Sequence, residues 1–281
     1  MKIKIHFILA LFALSNAIAL AQQPIKLVVR ADDMGFTNDI GIAIIKAHRE
    51  GIVTSASLMP TTPFFDEAVK MCKENPNLSV GIHITVMGFR NRPMLSPDQV
   101  PSLVNKFGFF YDTKDDLERA NPDPIEIEKE IRAQIEKVKA SGLHYDYLDY
   151  HMNPPEYVLE IIKTICVEQK LIYGNDHYGS SYGYARQHHD IENWPSIILP
   201  DGQLVYYDAT PLSQEKEEMF YDLLNNLEPG VRKLVIHPGL AGKERASMTR
   251  LLCSERARDI IKKKNIHLIS FADLWEEEYG K

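Results

Sequence analysis

From residue 26 onward, short β-rich apolar runs alternate with segments whose apolar residues recur at helical spacing. Residues 26–31, 52–59, 78–86, 145–148, 171–173, 233–236 and 267–271 read as strands. Residues 38–50, 64–73, 124–140, 155–169, 215–227 and 247–264, with a short closing segment, read as helices. Such alternation allows a parallel sheet with helices packed on it, either open or closed into a barrel. No repeat, low-complexity tract or linker divides the chain, so residues 22–281 are expected to form a single α/β domain. The clearest helix signal is Asp123 as cap, Pro124 at the first position, and Ile127, Ile131, Ile135 and Val138 as one stripe. Two stretches break the alternation. Residues 87–122 read as a long inserted loop. Residues 175–213, rich in Tyr, His, Gly and Pro, form a second irregular region suited to substrate contacts.

The first residues follow another rule. Lys2 and Lys4 precede a mostly apolar run that ends in Ala19-Leu20-Ala21, a small-x-small cleavage site. Residues 1–21 therefore read as a signal peptide, and the run is at the short end for a membrane span. The expectation is an exported protein, periplasmic or secreted, with no stable span after cleavage. The chain carries 32 basic and 39 acidic side chains, a formal net charge of −7, and loss of Lys2 and Lys4 would leave 30 against 39, or −9. No basic block is present to follow a phosphate backbone, which argues against nucleic acid. Cys72, Cys166 and Cys253 lack metal-ligand spacing and read as small buried hydrophobes.

Polar side chains collect where the expected strands end. Asp32 and Asp33 close the first strand, His83 lies near the end of the third, His151 follows the fourth, and His237 follows residues 233–236. In a parallel α/β barrel these ends share the face that holds active sites. Two adjacent carboxylates in a partly dry cleft each raise the other's pKa unless a cation or proton separates them. One carboxylate with two imidazoles is a divalent-metal donor set, and we assign Asp33, His83 and His151 to it. Asp32 and His237 then remain for proton transfer, one taking a proton from water and the other giving one to a leaving group. From the residues alone, Asp32 and Asp33 could exchange roles. His188-His189-Asp190 also looks ligand-like but falls in the second irregular region. His48, His144 and His267 lie before strands or on helices, towards the opposite end.

RADDMGFTNDIGIAIIKAHREGIVTSASLM, VGIHITV, LDYHM, IHPG and ISFADL, in that order, resemble the YdjC-like carbohydrate deacetylases, over nearly the whole chain after the leader. The resemblance implies a distorted, TIM-barrel-like (β/α) barrel and metal-dependent hydrolysis of an N-acetyl group on a sugar. It implies Asp33, His83 and His151 as ligands of one divalent ion, zinc or magnesium, with Asp32 as catalytic base and His237 as acid. Met152 and Asn153 stand where many members carry further histidines, a departure that bears on the substrate pocket.

The expected activity is deacetylation of an N-acetylated amino sugar or oligosaccharide, with Tyr182, Tyr184 and Trp194 available to stack on sugar rings. The alternatives are another metal-dependent sugar reaction, such as O-deacetylation or isomerisation, and a non-catalytic glycan-binding protein of the envelope.

Overall fold

The computed structural model describes residues 24–88, 91–175, 196–198, 204–206 and 214–280, so the leader lies outside the described residues. The architecture is α/β, and among the described residues its main sheet has seven strands, all paired in parallel. At its centre is β1 (Ile25–Met34), which pairs with β8 (Gly230–Ile236) from Ile25 to Ala31. The first half of β1 also pairs with β9 (Ile266–Ile269), and its second half with β2 (Ser55–Leu58). The sheet continues through β3 (Ser79–Ile84) and β4 (Tyr147–Tyr150) to β5 (Ile172–Tyr173). Among the described residues β5 and β8 are its two ends, so the strands do not join into a ring. A separate antiparallel pair, β6 (Ser196–Ile198) and β7 (Leu204–Tyr206), lies within the second irregular region.

Period-two alternation gives the sheet two faces. Leu27, Val29 and Ala31 of β1, Val80, Ile82 and Ile84 of β3 and Leu148 of β4 join the large apolar core. Into it pack α1 (Asn38–Glu50), α2 (Phe65–Lys73), α4 (Pro124–Ala140) and α5 (Glu156–Gln169) through Ile40 and Ile44, Phe65 and Val69, Ile127 and Ile131, and Val158 and Ile162. Each such side chain contributes roughly 1.5–3 kcal/mol on burial. On the other face Val28, Tyr147, Ile172 and Val231 form a smaller cluster with Phe271 and Leu274 of α9 (Phe271–Tyr279). The backbone N–H groups of Phe271 and Ala272 donate to Ser55 Oγ and Ser79 Oγ at 3.2 and 3.1 Å, anchoring α9 at the N-terminal ends of β2 and β3. The C-terminal ends of that face are left to polar residues.

Two expected segments differ. Residues 87–122 are not one loop: they hold a 3-10 turn (Pro101–Leu103) and α3 (Lys114–Ala120), whose first turn is capped by Thr113 Oγ1 accepting from Asp116 N. The helix expected over 247–264 is two helices, α7 (Lys243–Leu252) and α8 (Glu255–Lys263), because Ser254 Oγ accepts from Ala257 N and starts a new one. Before them, α6 (Gln214–Asn225) packs Phe220 and Leu224 into the large core. The expected Asp123 cap with Pro124 at the first helical position is present.

Candidate metal centre

Neighbours on a regular strand point to opposite faces, so Asp32 and Asp33 should not both reach one site. A bulge resolves this. Three steps of β1, Ala31 to Met34, lie against two of β2, Ala56 to Leu58, and Asp33 takes the left-handed conformation at φ 68°. Asp tolerates that region better than most residues, and Gly35 follows at φ 91°.

Asp33, His83 and His151 converge, all buried. His151 Nδ1 and His83 Nε2 stand 3.3 and 3.6 Å from Asp33 Oδ1, and among the described residues that buried oxygen has no hydrogen-bond partner. A buried carboxylate oxygen facing two imidazole nitrogens is what a divalent cation would satisfy, and the donor set suits one. The residues present therefore fit the ion implied by the sequence.

The surrounding groups hold this arrangement in place. His83 Nδ1 is hydrogen-bonded at 2.9 Å to Asp149 Oδ1, and Ser57 Oγ donates to Asp149 Oδ2 at 2.6 Å. This directs Nε2 of His83 towards Asp33. The guanidinium of Arg30, fully buried, donates to both oxygens of Asp32, at 2.7 and 2.8 Å, and lies 2.9 Å from Asp149 Oδ2. Arg30 also donates to Gly174 O and Asn175 Oδ1. Asp32, His83 and Asp149 form a second cluster of possible ligands, but Arg30 already supplies a fixed cation between its two carboxylates. Arg245 of α7 donates to the other oxygen of Asp33, Oδ2, at 2.6 Å.

Burial pushes the Asp33 carboxyl up, but the Arg245 charge and the adjacent His151, His83 and His237 hold it well below the usual carboxylate range. Asp149 is likewise raised by burial and brought down further by Arg30, His83 and Ser57. His83 is pulled down by burial and pushed up to about 10 by Asp149, Asp32 and Asp33. Burial dominates at His151 and lowers it, keeping its imidazole neutral and able to ligate. His237 follows β8, half-buried, close enough for its charge to act on both Asp33 and His151.

The five expected residues thus meet at one end of the sheet. Arg30, Ser57, Asp149 and Arg245 were not singled out in the sequence. Asp149 belongs to β4, which runs to Tyr150 and not only to residue 148, and its parity with Tyr147 was the available signal. Tyr182, Tyr184 and Trp194, with His188-His189-Asp190, lie outside the described residues. Met152, at φ 57°, packs its sulfur over Gly88, where an added Cβ would come within 2.3 Å.

Comparison with known proteins follows the same lines. The YdjC-like protein family matches residues 26–263. The chain is 29% identical over 262 residues to a carbohydrate deacetylase of Brevibacillus brevis, covering 89% of this chain and 99% of that one. It is 27% identical over 263 residues to a carbohydrate deacetylase of Enterococcus faecalis, covering 89% and 98%. A crystal structure from Enterococcus faecalis, described as a cellobiose-phosphate cleavage protein, shares the fold with a TM-score of 0.70 at 23% identity, covering 89% of this chain and 99% of that one.

Proposed function

This chain belongs to the YdjC-like family, and we propose that it is a metal-dependent hydrolase removing an N-acetyl group from an amino sugar or oligosaccharide. The observation that carries the reading is the buried Asp33 Oδ1, unpartnered among the described residues and facing His83 Nε2 and His151 Nδ1, with Asp32 as its chain neighbour. The two carbohydrate deacetylases above support the sugar substrate.

Asp33, His83 and His151 would hold the ion. When bound, a divalent cation polarises the acetamide carbonyl and makes a water nucleophilic near neutral pH. Asp32, oriented by the Arg30 fork, takes the proton from the attacking water through a remaining lone pair. His237 gives a proton to the departing amine nitrogen. Asp149 keeps the Nδ1 proton of His83 engaged, so that it is Nε2 that would give up its proton and offer a lone pair when an ion binds. Acetate and a free amino sugar leave. The leader read in residues 1–21 would put this reaction outside the cytosol, on a single distorted barrel domain spanning residues 22–281. No helix among the described residues is long and apolar enough to cross a membrane.

Acetate release from N-acetylated oligosaccharides, with and without a chelator, tests the reading, and product mass separates loss of acetyl from nitrogen, loss from oxygen, and isomerisation. Chelation should abolish activity and added zinc or magnesium should restore it. Activity that survives both chelation and Asp33→Ala sinks the metal assignment.

A further inference from the structure

Arg245 bonds Asp33 Oδ2, while the two imidazoles face Oδ1, and nothing in the proposed reaction uses it. Its side chain is 13% exposed, and its Nη2 lies 2.6 Å from Asp33 Oδ2. It sits on the first turn of α7, directly after the His237-Pro238-Gly239 turn, and the two are fastened together. The Gly239 N–H donates to Thr249 Oγ1 at 3.0 Å and to Arg245 O at 3.3 Å, and Thr249 Oγ1 donates to Gly239 O at 2.7 Å. A Cβ at residue 239 would come within 2.9 Å of Arg245 Cβ, so the glycine permits the turn to close over the arginine. The segment that carries His237 therefore also carries the cation on Asp33.

We propose that Arg245 is a positioning residue that reserves one oxygen of Asp33, so that the carboxylate offers only Oδ1 to the cation. A carboxylate with both oxygens available can chelate a divalent ion, supplying two donor atoms and neutralising more of its charge. With Oδ2 committed to a guanidinium, Asp33 is a one-oxygen donor. The ion keeps a further position for water or the acetamide oxygen, and more of its polarising charge. The direction of the effect follows. Removing the guanidinium takes away a positive charge that repels the ion and frees a second donor, so the metal should bind more tightly while catalysis slows.

This inference rests on the metal reading above. Cobalt(II) is the probe, since its visible absorption is strong in four-coordinate sites and weak at higher coordination. The wild-type chain, Arg245→Gln and Arg245→Lys are titrated with cobalt(II) against a chromophoric chelator, and their unfolding midpoints and kcat are recorded. In Arg245→Gln, affinity should rise about tenfold, the visible bands should weaken, and kcat should fall. Arg245→Lys keeps the charge without the planar fork and should be intermediate on all three. If Arg245→Gln binds cobalt(II) no more tightly than wild type with an unchanged spectrum, the proposal is overturned, and a lower midpoint in that variant would mark a purely structural ion pair. Failure of the wild-type chain to take up cobalt(II) would overturn the metal reading and this inference with it.

Discussion

Leu27, Val29 and Ala31 on one face of β1 are as inaccessible to water as Arg30 and Asp32 on the other, and the two faces are held by different forces. Under the helices the contacts are non-directional, and the loss of one methyl group is felt roughly in proportion to the volume removed. On the opposite face each charged group is matched to particular atoms: Arg30 to Asp32, Asp149, Gly174 and Asn175, and His83 to Asp149 and Asp33. Deleting one member there leaves another ionised and buried, which costs more than the pair contributed. The apolar face makes the sheet; the polar face uses that rigidity to keep like charges together.

The largest effect expected from breaking this division is on rate. Asp32→Asn should lower kcat for acetate release by about 10²–10⁴-fold while metal uptake persists, since the proton acceptor goes and the ligands stay. Loss of metal uptake in that variant would mean that the two carboxylates had been assigned in the wrong order. Arg30→Met should destabilise the protein by about 3–5 kcal/mol in denaturant unfolding and inactivate it as well, because Asp32 and Asp149 lose their shared cation. Ile82→Ala on the apolar face should cost about 2–5 kcal/mol and leave KM and the metal affinity near wild type. Stability lost without loss of site chemistry is the signature of that face.

Acid sharpens the contrast. Asp33 and Asp149 have folded pKa values below the ordinary Asp value of 3.8, so their contribution is present above that pH and is lost as the pH falls through the folded values. Thermal unfolding midpoints of the metal-free protein should therefore drop progressively below about pH 4. That acid slope should survive Ile82→Ala and shrink in Asp149→Asn. Equal slopes in the two variants would place the acid sensitivity elsewhere.

How much of this was legible depends on range. The bulged Asp pair, His83 and His151 are marked by their place at strand ends, and α1 and α4 by local periodicity and capping. Arg30 reads as an interruption in an apolar run, because its acceptors at Gly174 and Asn175 lie 144 and 145 residues away. Arg245 meets Asp33 across 212 residues, and it precedes residue 247, where the apolar spacing first signals a helix. The helix α3 escaped because Leu117 is its one buried residue, too little for a stripe, although Thr113 and Asp116 already spell a cap. Which strands lie at the edges of the sheet is a matter of strand pairing, which strand periodicity does not encode.

The pairing of β1 also bears on how the chain is made. Among the described residues the ladder partners of Ile25 to Val28 are β8 and β9, more than two hundred residues downstream, from Ile25 to Gly230 and to Ile266. Contacts so distant in sequence are slow to form. During synthesis these residues of the central strand lack their ladder partners until β8, and then β9, have emerged. A chain released before β8 carries Asp33, His83 and His151, the proposed ligands, and the strands that bear them, yet lacks the two strands that flank the start of β1 and the Arg245 cation on Asp33.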